Sequence, residues 1–293
     1  MHYNRKILKT DLECYINTAS QAENKDFHMH DSYEIYLFLD GDIDYFVEDH
    51  RYHLIPGDLL IFNDRDIHKS TNLTGMPHKR YILHFNPAII LPLCTNRTNL
   101  LACFQRTEPN RQNLIHLKGA QLQEVYTLFK QISHSLENPG YGEDTLALSD
   151  LIRLLVSVNR HFNTLSAAVP RDMDIITQIM RYIQENLTNN LSLDQIAGEF
   201  LIDKCYLCRI FKKATGSTIY QYILINRINL AQQALQRGES VSSACEAAGF
   251  SDYANFIRSF KKIIGVPPGQ YKKDLLLKEQ AHIRRTFAEN TKA

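Results

Sequence analysis

The 293-residue chain has no run of about 18 apolar residues, so no segment is suited to crossing a bilayer as a helix. Its opening residues, MHYNRKILKTDLE, lack the apolar stretch of an export signal. Cysteine is sparse and scattered. Cys14, Cys94, Cys103, Cys205, Cys208 and Cys245 do not show the grouped spacing of a disulfide framework. These absences set the expectation of a protein of the reducing cytoplasm that has no membrane partner. Net charge is almost absent as well, at +1. Yet residues 171–293 hold 17 of the 33 Lys and Arg and 12 of the 32 Asp and Glu, leaving 16 against 20 for residues 1–170. A positive C-terminal part beside a negative N-terminal part implies that only the former meets a polyanion. At this length, with 44% hydrophobic residues, two domains with a core each are expected.

What is present is concentrated in the last third. LSLDQIAGEFLIDKCYLCRIFKKATG, from Leu191 to Gly216, and VSSACEAAGFSDYANFIRSFKKIIGVPPGQY, from Val241 to Tyr271, each read as a short helix, a tight turn and a second, basic helix. In the second unit Ala244, Ala247 and Ala248 are small enough to let a helix cross closely. Gly249 suits the left-handed stop, and Ser251 or Asp252 can cap the next helix. Phe256 and Phe260, four apart, face inward and leave Arg258, Lys261 and Lys262 outside. Gly265, Pro267 and Pro268 end that helix.

The first unit repeats the logic. Ser192 and Gln195 have capping-box spacing, and Leu193, Ile196, Ala197 and Phe200 supply the apolar stripe. Asp203 is a candidate N-cap for the next helix. In it Leu207, Ile210 and Phe211 pack inward, with Lys204, Arg209, Lys212 and Lys213 exposed. Between the units, Thr218 to Gln236 is apolar-periodic over 19 residues, about 28 Å of helix, against the ~34 Å between successive major-groove faces of a duplex. A lone helical hairpin is a common structural motif. Two basic ones joined by a helix of this length point to DNA reading.

The run Ala244, Ala248-Gly249-Phe250, Phe256, Phe260-Lys261-Lys262, Gly265, Pro268 and Tyr271 resembles the AraC/XylS family of bacterial transcription regulators. Tyr206-Leu207, Arg209, Phe211-Lys212-Lys213 and Thr215-Gly216 fit the same pattern, so the resemblance covers about the last 110 residues. It departs at Asp203-Lys204-Cys205, where relatives often carry Ser and Pro, and an acid there could repel a phosphate. Arg209 and Arg258 are the expected base contacts, since Arg bridges guanine O6 and N7. The resemblance implies that Cys205, Cys208, Tyr253, Ala254 and Asn255 line the same groove faces. Lys212, Lys213, Lys261 and Lys262 are expected to hold phosphates, and Lys204 is counted with the DNA-binding residues.

The N-terminal half reads as β structure. Strands are expected at Glu34–Leu39, Ile43–Val47, from Tyr52, at Leu59–Phe62 and at Arg80–Phe85, with turns at Gly41-Asp42 and Pro56-Gly57-Asp58. The pattern His28-Met-His30, Glu34, Gly41, Pro56-Gly57-Asp58 and His68 resembles a cupin, the barrel that serves as sensor in many AraC-type proteins, although Asn63 stands where relatives often have Pro. Strand parity places His28, His30 and Glu34 on one face. With His68 they are expected to shape a pocket for a small-molecule effector, by the resemblance a sugar, with no catalytic residue and no cofactor. The same four side chains are also the three-His, one-carboxylate set of metal cupins, so a metal-dependent enzyme or metal sensor is the alternative.

Two amphipathic stretches follow, one through Leu122, Val125, Tyr126, Phe129, Ile132 and Leu136, the other through Leu148, Leu151, Ile152, Leu155, Val158 and Phe162, broken by Asn138-Pro-Gly-Tyr-Gly142. They either cover the barrel or, as the resemblance implies, also make a homodimer that pairs two DNA half-sites, with Leu151 on the outward ridge. Cys205 and Cys208 form a Cys-x-x-Cys without a second pair, hence no zinc site. They are small groove-facing residues, or a thiol switch, since a helix N-terminus and nearby Lys204 and Arg209 lower a thiol pKa.

The expectation is therefore an α+β chain: an N-terminal cupin-like β-barrel with a helical dimerisation pair over residues 1–163, a linker at 164–172, and an all-α tandem helix-turn-helix domain over 173–293 with motifs near 192–213 and 240–263. Its partners are promoter DNA, a small-molecule effector, a second copy, and RNA polymerase if it activates.

Overall fold

Strands that are buried on both faces read as continuous apolar runs, and IYLFL and LLIF are two of them. In a computed structural model, which describes residues 10–19, 26–72, 74–105, 113–164 and 174–277, these runs lie in β2 (Tyr33–Asp40) and β5 (Asp58–Phe62). They are interior strands of a five-stranded sheet. Its order is β1 (Leu12–Ala19), β7 (His78–Phe85), β2, β5, β8 (Leu114–His116). A three-stranded sheet is ordered β4 (His50–His53), β3 (Ile43–Val47), β6 (His68–Asn72).

The expected barrel is thus two sheets and not one closed ladder. The chain changes sheet at the β2–β3, β4–β5, β5–β6 and β6–β7 connections. Two of the glycines at these crossings are obligatory. A Cβ on Gly41 (φ +121°) would lie 2.4 Å from the His78 Cβ, and one on Gly57 (φ +95°) 2.6 Å from the Leu117 carbonyl oxygen. Strands β1, β6 and β8 are additions to the sequence reading. β6 (HKSTN) is polar and was hidden by its composition.

Side-chain alternation divides the core in two. Ile35, Leu37, Leu59, Ile61, Leu83 and Phe85 face α1 (Gly119–Glu137) and α2 (Glu143–Thr164), which bury Val125, Phe129, Ile132, Leu151, Leu155 and Val158 against them. Tyr36, Phe38, Leu60, Phe62 and Ile82 face the smaller sheet's Ile43, Tyr45, Val47 and Tyr52. Leu151 corrects the sequence reading: it is fully buried against the sheet and stands on no outward ridge.

The chain divides into two compact units, one ending at Thr177 and the other beginning at Gln178. Residues 165–172 of the expected linker lie outside the described residues. After α3 (Ile175–Glu185) come α4 (Leu193–Glu199), α5 (Lys204–Thr215), α6 (Ile219–Gln236), α7 (Val241–Ala247), α8 (Tyr253–Ile264) and a further helical stretch over 268–277. Ser192 and Gln195 form the capping box of α4, with bonds of 3.1 and 2.8 Å. Thr218 and Gln221 do the same for α6. Ala244 and Ala248 are buried, but Ala247 is exposed, and Phe200 and Ile210 are only half-buried. Gly249 is held at φ +74°, where a Cβ would lie 2.8 Å from the Thr188 Cα and 2.9 Å from its carbonyl oxygen. This contact fastens the turn between α7 and α8 to the segment after α3.

Candidate functional site

Helices α5 and α8 are built alike. In α5, Leu207, Phe211 and Thr215 are buried; in α8, Phe256, Ser259, Phe260, Ile263 and Ile264 are. Each helix starts on an aspartate. The backbone N–H of Tyr206 donates to Asp203 at 2.9 Å, and that of Asn255 donates to Asp252 at 3.0 Å. Each ends on a left-handed glycine, Gly216 and Gly265. The acid at the first turn is therefore a helix cap, and a carboxylate there is favoured by the helix dipole.

The opposite faces carry Cys205, Tyr206, Arg209, Lys212 and Lys213 on α5, and Tyr253, Ala254, Arg258, Lys261 and Lys262 on α8, all exposed. Cys208 and Asn255 are half-buried at the edges of these faces. Arg209 lies over the Tyr206 ring, its guanidinium carbon 5.4 Å from the ring centre. The Lys204 ammonium donates to both oxygens of Asp194 at 2.9 and 3.0 Å, which raises its pKa. That pair clamps α4 to α5.

In the N-terminal unit the four expected side chains converge, though not by sharing a strand. His28 and His30 lie on an extended segment whose backbone pairs with β6: His28 N–H donates to His68 O at 3.1 Å and His68 N–H to His28 O at 3.0 Å. A bend at Asp31-Ser32 then turns the chain into β2, which carries Glu34. The His30 and His68 Nε2 atoms are 3.2 Å apart and lie 3.0 and 3.4 Å from Glu34 Oε2. The Phe62 ring stacks on His68 with centres 4.2 Å apart.

Two of the imidazoles are oriented by the backbone. The His28 Nδ1 is 2.9 Å from Asp26 O, and the His68 Nδ1 is 2.8 Å from Asp66 O. A carbonyl can only accept, so each Nδ1 carries a proton, which leaves Nε2 as the ring atom that can act as a ligand. Burial, together with the His68 and His30 rings, drives the His28 pKa well down. Burial pushes the Glu34 carboxyl up, but the neighbouring His84, His30 and His68 imidazoles outweigh it and hold it well below the usual carboxylate range.

His84 was missing from the sequence reading. It sits on β7 directly across from Glu34, buried, with Nδ1 3.9 Å from Glu34 Oε2 and 3.4 Å from Ser32 Oγ. The strand containing it was legible; its pairing with Glu34 was not, because register between strands distant in sequence leaves no local pattern.

The donor atoms fit a transition ion. Two ligands of a tetrahedral site with bonds of about 2.0–2.1 Å lie roughly 3.3 Å apart, and the nitrogen and carboxylate spacings here bracket that value. The Nδ1-to-carbonyl bonds are the outer contacts that fix a metal-binding histidine. His28, His30 and His68 form one three-donor face, and His30, Glu34 and His84 another. Side chains this close leave no room for an organic molecule between them.

The fold and these surfaces define a two-part regulator, a β-rich sensor joined to a tandem helix-turn-helix reader. Residues 9–156 match the profile described as an AraC-like ligand binding domain, and residues 196–274 match a helix-turn-helix domain. The chain belongs to the AraC family of transcription regulators. It is 28% identical over 232 residues, 78% of this chain and 80% of the other, to the uncharacterized HTH-type transcriptional regulator YbfI of Bacillus subtilis. It is 23% identical to the melibiose operon regulatory protein of Escherichia coli, across 84% of this chain and 83% of that protein. To the multiple antibiotic resistance protein MarA of Escherichia coli it is 33% identical over 105 residues, 35% of this chain and 83% of MarA. No described helix is long and apolar enough to cross a membrane.

Proposed function

We propose that this AraC-family regulator places α5 and α8 in successive major grooves of promoter DNA. The observation that carries the reading is their common build: an aspartate cap, a buried apolar side, an outward arginine mid-helix and a lysine pair in the last turn. Arg209 and Arg258 read base edges. Lys212, Lys213, Lys261 and Lys262 hold phosphates, and Cys205, Cys208, Tyr253, Ala254 and Asn255 line the groove. Lys204, tied to Asp194, acts on phosphate only through that clamp. The protein works in the cytoplasm, without turnover, as a homodimer assembled through the α1–α2 pair, and it meets RNA polymerase where it activates. Residues 1–163 sense and dimerise, and 173–293 bind DNA.

The test is binding of the full chain to its own upstream DNA and to random duplex as salt is raised. Specific binding, with affinity falling steeply as counterions are released, is expected. Equal affinity for both duplexes at every salt concentration refutes the reading.

His28, His30, Glu34 and His68 are the input site of the sensor. A small organic effector seated over the cluster is one occupant, and the melibiose operon regulator among the relatives supports a sugar. The donor spacing favours a second, a divalent transition ion inside the cluster. Elemental analysis of protein never exposed to a metal column separates the two. About one equivalent of metal, with a melting temperature that a chelator lowers, supports the ion. Metal-free protein that melts higher with a sugar, a response lost in His30→Ala, supports the organic effector.

A further inference from the structure

Three imidazoles and one carboxylate already saturate a four-coordinate ion, while an ion with higher coordination would keep positions open. Whether it does depends on a residue outside that set. His84 is buried at 2% exposure, its ring centre is 4.8 Å from that of His30, and it faces Glu34 across the β2–β7 ladder. His30 thereby stands within 5.0 Å, ring centre to ring centre, of three other imidazoles. Glu34 Oε2 is shared among His30, His68 and His84.

We propose that His84 is a further ligand of the ion, giving a set of four imidazoles and one carboxylate that fills a five-coordinate ion and closes it to outside ligands. The inference rests on the metal reading of the cluster and goes beyond it. Metal enzymes keep a position for water or substrate, and a closed ion has none to offer. The ion is then the signal itself, or the pin that holds the sensor in its responsive form, and no substrate is bound through it. A nitrogen-rich set of this kind suits Zn, Ni, Co or Cu(II) over Mg, Ca or Mn, which prefer oxygen. The source elements support the assignment: His28 and His30 come from the segment before β2, His68 from β6, Glu34 from β2 and His84 from β7. Ligation of all five ties both sheets together at one end, so metal binding has a direct route to the stability of the whole unit.

The experiment uses the full chain loaded with Co(II), read by its visible absorption and titrated with azide. For the unaltered protein, one equivalent of Co(II) and a spectrum that azide leaves unchanged are expected. For His84→Ala, the expected outcome is Co(II) affinity lower by about 10-fold to 100-fold or more and a spectrum that azide now shifts. Failure of the unaltered chain to bind Co(II) removes the metal reading itself. Binding of Co(II) with an azide response in the unaltered protein keeps that reading and overturns the role of His84. So does a His84→Ala variant that matches the parent in affinity and azide response. Should His84→Ala not fold, His84→Gln, which keeps most of the side-chain volume and a polar end, is titrated in its place with the same outcomes expected.

Discussion

The turn at Gly249 allows a quantitative test of how the reader is held together. Two separate costs meet there. A left-handed residue with a Cβ costs about 1–2 kcal/mol. An added methyl at 2.8–3.0 Å from the Thr188 backbone must also push that segment away, which overpacking data put at about 1–3 kcal/mol. Gly249→Ala is therefore expected to destabilise the helical unit by about 3 kcal/mol. Gly238 is the control. It has φ +88° and nothing within 4 Å of the place a Cβ would take, so Gly238→Ala bears the dihedral cost alone, about 1 kcal/mol. The assay is urea unfolding of each full-length variant, followed through the helical circular dichroism signal, with the midpoint shift converted at constant slope. The difference between the variants measures the contact with Thr188. Equal losses in both would refute the packing argument and leave only backbone strain.

Three further outcomes are expected. Arg258→Ala should cost about 1–3 kcal/mol on the cognate site and relax preference at one base position, whereas Lys261→Ala should weaken cognate and random duplex alike; competition binding distinguishes them, and equal losses for Arg258→Ala would remove it from base reading. Leu151→Glu buries a carboxylate in the sheet–helix core at a cost of several kcal/mol, so it should unfold the sensor unit; a folded, monomeric variant by sedimentation and proteolysis would instead put Leu151 back at a subunit contact. With a thiol-reactive dye, exposed Cys205 should label first, while Cys14, buried at 5% exposure and with burial driving its pKa far up, should label only on unfolding; rapid Cys14 labelling in the native chain would contradict the packing of β1 on α1.

The DNA-reading unit was the more legible part because its signals are local. Caps, stops and apolar spacing all fall within four residues of one another, and Ser192, Asp203 and Gly249 occupy the predicted places. The choice between Ser251 and Asp252 as cap needed coordinates, and Asp252 is the residue used. In the sensor, the strands rich in β-branched and aromatic residues were visible, but polar β6 and short β8 were not. His28, His30, Glu34 and His68 do lie near one another, but a bend and a second sheet, and not the parity of one strand, bring them together. His84 and the inward side of Leu151 depend on which element packs where, and spacing along one chain does not encode that.

Buried and half-buried amides run along α6. Gln184 of α3 donates to the Tyr222 hydroxyl at 3.1 Å and to Asn226 at 2.7 Å. Gln232 and Gln236 donate to the hydroxyl of Tyr271, at 2.9 and 3.2 Å, from the stretch over 268–277. An apolar interior would allow these helices to slide past one another by a residue at little cost, whereas hydrogen bonds of fixed partner and length permit one registry. The frame therefore behaves as a gauge with a set length. A duplex, in contrast, rotates by about 34° for every base pair inserted between two contact points. If α5 and α8 dock as proposed, a promoter with one base pair too many between their two sites would offer its second groove at an angle this gauge cannot follow.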